Sequence, residues 1–223
     1  MATMYPLFLG ILFIAVCSHL DAVDRTVNPP ASLHQEVGSR LRRSRIIEIA
    51  AAEIGVREAT GNNDGGRVEA YLAYTGLRKG HAWCAAFVSW CYGQAGFAVP
   101  RNPWSPALFP NARTYCRGGT CADLKISAQV KPADIFGIYS GSAKRINHVG
   151  LVWRMERNYI LTIEGNVENR VLSKRRHLST VQALSNWITD GNKIINNETY
   201  THFMHHHKLG LLPFIAGENT LGK

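Results

Sequence analysis

Long apolar stretches are nearly absent from this chain of 223 residues. The longest, residues 7–16 (LFLGILFIAV), falls well short of the about 20 apolar residues that a bilayer-spanning helix needs, so no stable membrane span is expected. Charge is sparse and one-sided. Only 18% of residues are charged while 46% are apolar, which excludes a disordered chain and allows a core of ordinary size. Sixteen Asp and Glu stand against 25 Lys and Arg, giving a net charge of +9. That excess concentrates polyanions at the surface, whether nucleic acid, anionic lipid or anionic wall polymer. There is no RNP-type aromatic motif, no zinc-finger spacing and no basic heptad helix, so nucleic acid is not the expected partner. Internal repeats are also missing.

The apolar run near the start has the length of an export-signal core, and residues 1–22 are expected to be a signal peptide cleaved after Ala22. Its flank MATMYP lacks Lys and Arg, Leu20 occupies the minus-three position, and Cys17 offers lipidation as an alternative fate. The expected location is the periplasm, cell envelope or extracellular space. Without Cys17, four cysteines remain: Cys84, Cys91, Cys116 and Cys121. Cys116 and Cys121 bracket a turn-rich Arg117-Gly118-Gly119-Thr120, which suits either a small disulfide loop or two reduced thiols. Cys91, two helical turns after Cys84, reads as a small buried apolar residue.

Residues 23–45 read as a linker and basic segment. Pro29 and Pro30 mark the linker, and Arg40, Arg42, Arg43 and Arg45 suggest a solvated helix face. The expected catalytic domain is 46–190, followed by a tail over 191–223 in which His205, His206 and His207 have only incidental metal affinity. Ile46, Ile47, Ala50 and Ile54 recur at helical spacing, residues 68–77 predict a second helix, and residues 83–95 a third that stops at Gly96. A proline-rich stretch, 100–110, carries Trp104, Leu108 and Phe109, apolar residues able to cover a cleft. Residues 135–139, 149–155 and 159–164 predict strands, and 181–188 a short helix. Helices followed by antiparallel strands make the fold class α+β.

The chemistry resides in three places. Gly80-His81-Ala82-Trp83-Cys84 leads from a turn into a helix whose first turn holds the cysteine. Free N–H groups and the helix dipole there favour thiolate over thiol, and the same N–H groups can bind an oxyanion. Asn147-His148-Val149-Gly150 places a histidine at the start of a strand, with Gly150 on the same face leaving room beside the imidazole. Thr162-Ile163-Glu164-Gly165-Asn166 ends the next strand, and a hairpin would return Glu164 and Asn166 to His148. Each element alone is more often structural: a buried cysteine, a satisfied histidine, a carboxylate in water. Together they offer a nucleophile, a base and an orienting group.

These motifs, in this order, resemble the CHAP family of cysteine- and histidine-dependent amidohydrolases/peptidases, over roughly residues 46–188. The resemblance implies a papain-like fold, with N-terminal helices packed on a small antiparallel sheet. It implies Cys84 as nucleophile, His148 as base and then acid, Glu164 as the orienting acid and Asn166 as the polar position after it. The implied activity is hydrolysis of amide bonds in peptidoglycan, either as an N-acetylmuramoyl-L-alanine amidase or as a stem or cross-bridge endopeptidase. The partner is then the stem peptide, met by a monomer that needs no cofactor. Lys131-Pro132-Ala133-Asp134 resembles the family's proline-glycine-aspartate turn, with Ala133 in place of glycine. Some relatives bind calcium through acidic loops, but Asn62, Asn63 and Asp64 supply one carboxylate, and a plain turn with no metal is expected. Two other readings use the same residues: a protease or amidase acting on a non-wall substrate, and a wall-binding module that does not cut.

Overall fold

Apolar residues at helical spacing fill the N-terminal half and β-branched runs the C-terminal half, and the structure follows that division. A computed structural model describes residues 31–188. The expected signal peptide with Cys17, residues 23–30 of the expected linker, and the tail with its three histidines lie outside the described residues.

Helix α1 (Ala31–Ala52) begins directly after Pro30, inside the segment expected to be a linker. Its first turns are exposed and have no apolar stripe to betray them, whereas Ile46, Ile47 and Ala50 further along are buried. The arginine cluster is not uniformly solvated either. Arg40 is exposed, but Arg43 is buried and donates to Pro132 O (2.7 Å), Asp134 Oδ1 (2.8 Å) and Asn186 Oδ1 (2.8 Å). It pins the helix to the turn before the sheet. Helix α2 (Gly66–Tyr74) buries Val68, Tyr71 and Leu72, and α3 (Cys84–Gln94) is buried from Cys84 to Tyr92. A helix so apolar all round belongs at the centre of a fold.

Strand β1 (Thr114–Arg117) leads into a 3-10 segment (Gly118–Ala122), and Cys116 and Cys121 are joined by a disulfide across it. A one-turn helix, α4 (Leu124–Ser127), precedes β2 (Ile135–Ser140), β3 (Arg145–Glu156), β4 (Tyr159–Val167) and β5 (Arg170–His177). Residues 181–188, expected to be helical, instead supply β6 (Ala183–Ser185), which inserts between β1 and β2. All three residues of β6 are buried, so no period-two alternation marks it as a strand. The six strands run β1-β6-β2-β3-β4-β5, antiparallel throughout.

Strand alternation splits the interior into two cores. Ile135, Val149, Leu151 and Ile163 join the helices, and Phe136, Val152, Ile160 and Leu184 join Cys116, Cys121, Val130 and Leu178. The helices therefore cover one side of an antiparallel sheet, and the fold is α+β, as the order of elements in the sequence predicts. The turn before β2 carries Ala133 at φ +65°, a left-handed conformation natural to glycine and costing another L-residue about 1–2 kcal/mol.

Candidate active site

Cys84 is the first residue of α3, where backbone N–H groups have no partner within the helix. Trp83, just ahead of it, is wholly buried and donates Nε1–H to Glu58 (2.8 Å), whose other oxygen accepts Asn63 N–H (2.9 Å). The loop after Glu58 is closed by Asp64, which accepts from Thr60 N (2.9 Å) and Thr60 Oγ (2.7 Å), while Asn62 Nδ2 donates to Thr60 Oγ (2.8 Å). Asn62 and Asp64 thus hold a turn that braces the approach to the cysteine. Glu58, which no motif singled out, is the anchor of that brace.

His148 is the fourth residue of β3 rather than its first. Its Nε2 lies 2.7 Å from Glu164 Oε2, and its side chain also hydrogen-bonds Cys84. With Nε2 taken by the carboxylate, Nδ1 is the nitrogen left for the thiol. Cys84 Sγ also lies 3.5 Å from Ser105 Oγ and 4.0 Å from Asn147 O. Ser105 is buried in the 3-10 turn Ser105–Leu108. Of the apolar residues expected to cover a cleft, Leu108 and Phe109 are core residues, whereas Trp104 is 57% exposed beside Ser105.

Two glycines allow this assembly. A Cβ on Gly150 would sit 2.9 Å from Glu164 Cγ and 2.7 Å from Phe136 Cε1, so the room Gly150 leaves is taken by the Glu164 side chain on its way to the imidazole. A Cβ on Gly165 would sit 2.7 Å from Trp83 Cζ3 and 2.8 Å from Phe87 Cβ, so α3 can meet β4 this closely only at a glycine. Glu164 thus faces the histidine while its neighbour seats the cysteine's helix. Asn166, expected near the imidazole, adopts φ +59° where the β4–β5 register shifts. Among the described residues it makes no hydrogen bond to His148, whose imidazole is held by Glu164 and Cys84.

Glu164 is fully buried, and four donors share its two oxygens. Oε1 accepts Thr162 Oγ–H (2.5 Å) and Arg176 Nε–H (2.6 Å), and Oε2 accepts His148 (2.7 Å) and Arg176 Nη2–H (2.6 Å). Burial alone would raise its pKa, but the Arg176 and His148 hydrogen bonds and charges overcome that and hold it at about 2. Burial opposes charge on His148 as well, yet the hydrogen bonds and negative charge of Cys84 and Glu164 raise it to about 9. Burial pushes the Cys84 thiol up, and His148, Ser105 and the Val149 N–H more than reverse this, leaving it below its ordinary value. A lowered thiol facing a raised imidazole favours thiolate–imidazolium. Cys91, by contrast, is a free thiol raised well above the ordinary value by burial, and inert. Arg176 carries no sequence signal of this role, since it sits in Lys174-Arg175-Arg176-His177, which reads as a solvated basic run.

The CHAP domain family model matches residues 76–166, the stretch that contains Cys84, His148 and Glu164. No curated protein matches the chain. Among solved structures, it is similar to the peptidoglycan hydrolase RipB from Mycobacterium tuberculosis at 16% identity and TM-score 0.43, over 69% of this chain and 68% of that one. It is also similar to PlyC at 15% identity and TM-score 0.41, over 70% of this chain and 38% of that one. The domain match lies over the helix-borne cysteine and the strand-borne histidine, so residues 76–166 of this chain are similar to the CHAP domain.

Proposed function

We propose that this protein is an exported cysteine amidohydrolase that cuts amide bonds in peptidoglycan, as an N-acetylmuramoyl-L-alanine amidase or a stem or cross-bridge endopeptidase, through Cys84, His148 and Glu164. The observation that carries the reading is the continuous chain from the Cys84 thiol to the His148 imidazole to the Glu164 carboxylate. The family supports amide hydrolysis, and the net charge of +9 suits an anionic wall. The Cys116–Cys121 disulfide supports export to an oxidising compartment.

The Cys84 thiolate attacks the carbonyl carbon of the scissile amide. The oxyanion forms beside the free N–H groups opening α3, where one well-placed donor is worth roughly 100-fold to 1,000-fold in rate. The His148 imidazolium gives its proton to the departing amine as the C–N bond breaks, leaving a thioester on Cys84 and a neutral imidazole. His148 then takes a proton from water, hydroxide adds to the thioester, and the carboxylate product leaves as the thiolate–imidazolium pair re-forms. Glu164 fixes the ring orientation in both halves.

Purified peptidoglycan is digested with protein starting near Val23, beside Cys84→Ala and His148→Ala, and the products are weighed by mass spectrometry. New amine termini that require both residues are expected, and their masses name the bond. Sacculi bound equally by wild type and variants but never cut, in reducing buffer at any pH, would refute hydrolysis in favour of a binding module.

A further inference from the structure

The Glu164 carboxylate has a problem that His148 cannot solve. It is fully buried, and a buried carboxylate takes up a proton unless a cation or several donors hold it. During the proposed cycle His148 is an imidazolium in the resting pair and neutral once it has protonated the leaving amine. A carboxylate relying on His148 alone would lose its countercharge mid-reaction.

Arg176 on β5 has a charge that does not cycle. Its guanidinium meets both carboxylate oxygens at 2.6 Å and lies 5.7 Å from the centre of the Phe136 ring, which in turn meets His148 edge-on at 6.4 Å. The pair is well shielded: the Arg176 side chain is 22% exposed and that of Glu164 is not exposed at all. Arg176 also lies beyond the stretch matched by the CHAP family model, which ends at residue 166. We propose that Arg176 is a positioning residue of this site, its two-point grip keeping the Glu164 carboxylate ionised and aimed at His148 in every protonation state of the imidazole. The proposal rests on the Cys84–His148–Glu164 reading.

The groups around the imidazole are few enough for a clean test. α3 contributes Cys84, the 3-10 turn Ser105, β4 Glu164 and β5 Arg176. Lys174, two residues before Arg176, is paired with Glu168 at 3.4 Å, and β2 contributes Phe136 and Ile138, which do not titrate. Cys84 is alkylated with iodoacetamide from about pH 3 to 10 and the Cys84 peptide quantified by mass spectrometry, in wild type, Arg176→Gln, Arg176→Lys and His148→Ala. Loss of the guanidinium lets Glu164 protonate at a higher pH and withdraws support from the imidazolium, so the acid limb of thiolate reactivity moves upward. The expected shift is about one unit for R176Q, with R176K between it and wild type. An R176Q protein that melts cooperatively and keeps the wild-type limb overturns the proposal. If R176Q does not fold, R176K decides, because a point charge cannot reproduce the planar two-point grip. Its limb must lie above that of wild type, and coincidence overturns the proposal. Alkylation needs no peptidoglycan, so a protein inert on sacculi leaves this test standing. A His148→Ala profile identical to wild type instead overturns the underlying pair, and the proposal with it.

Discussion

Replacing Gly165 with alanine adds one methyl group and should damage both the fold and the nucleophile. The new Cβ would lie 2.7 Å from Trp83 Cζ3 and 2.8 Å from both Cβ and Cγ of Phe87. Ordinary carbon–carbon contact begins near about 3.5 Å, so roughly 0.7 Å of separation must be found. Phe87 cannot give way, because its Cβ is fixed to the α3 backbone and its side chain is fully buried. Trp83 cannot swing aside without breaking its 2.8 Å hydrogen bond to Glu58. The helix itself must therefore lift from β4, and it takes Cys84 away from His148. Overpacking of this kind costs about 1–3 kcal/mol, and a displacement approaching 1 Å at a reacting atom costs roughly 100-fold in rate. Urea denaturation reads the first effect, and iodoacetamide alkylation of Cys84 near pH 7 reads the second. Gly141→Ala is the control, since a Cβ there meets nothing within 4 Å and should change neither value. A Gly165→Ala protein within about 0.5 kcal/mol of wild type, alkylated at the wild-type rate, would show that helix and strand are not locked together as described.

Glu164→Gln removes a charge that helps hold His148 near 9, so the alkaline limb of activity should move down toward the ordinary 6.5 and turnover should fall roughly 100-fold, as a pH–rate profile on sacculi would reveal. The site should also make stability depend on pH. The raised His148 contributes stability that is complete below 6.5 and lost as pH rises through about 9, while the lowered Cys84 contributes in the opposite sense, complete above its ordinary 9.0 and lost as pH falls. Glu164, with its folded value near 2 against an ordinary 4.5, contributes stability that is present above 4.5 and lost as pH falls toward 2. Thermal melts against pH should show this acid slope, and Glu164→Gln should flatten it. Arg43→Met strips the buried Asp134 of its cation while leaving Tyr115 and the Lys131 N–H as its donors, and should cost about 3–5 kcal/mol by urea denaturation. Arg40→Met, at an exposed position, should cost almost nothing.

Which parts of this molecule can be read from its sequence depends on whether the relevant signal is local. Cys84 at a helix start, His148 in a β-branched run and Glu164 at the end of the next strand each show themselves within a few residues, because a turn glycine or strand alternation marks them. Arg43 and Arg176 do not. Each sits in a basic run that reads as solvated, and each is defined by a carboxylate far along the chain or on a neighbouring strand, Asp134 for one and Glu164 for the other. The arginines and lysine of β5 obscure its alternation, and β6, flanked by strands on both sides with all three residues buried, carries no alternation that separates it from a helix. The N-terminal turns of α1 are not legible in the sequence, because a helix exposed all round carries no periodic apolar signal.

The Cys116–Cys121 bridge sets terms for the thiol on which the proposed chemistry depends. A compartment or buffer oxidising enough to keep that bridge closed also exposes the Cys84 thiolate to sulfenic acid formation. Among the described residues no other thiol can resolve the damage. Cys91, seven residues along the same helix, is about 10 Å away along the axis and beyond disulfide reach, and Cys116 and Cys121 belong to the core on the other face of the sheet. A reductant from outside must restore the nucleophile, and its potential must lie in the window that repairs a sulfenate without opening the bridge. The working life of the enzyme is then set by the redox poise of its surroundings as much as by the stability of its fold.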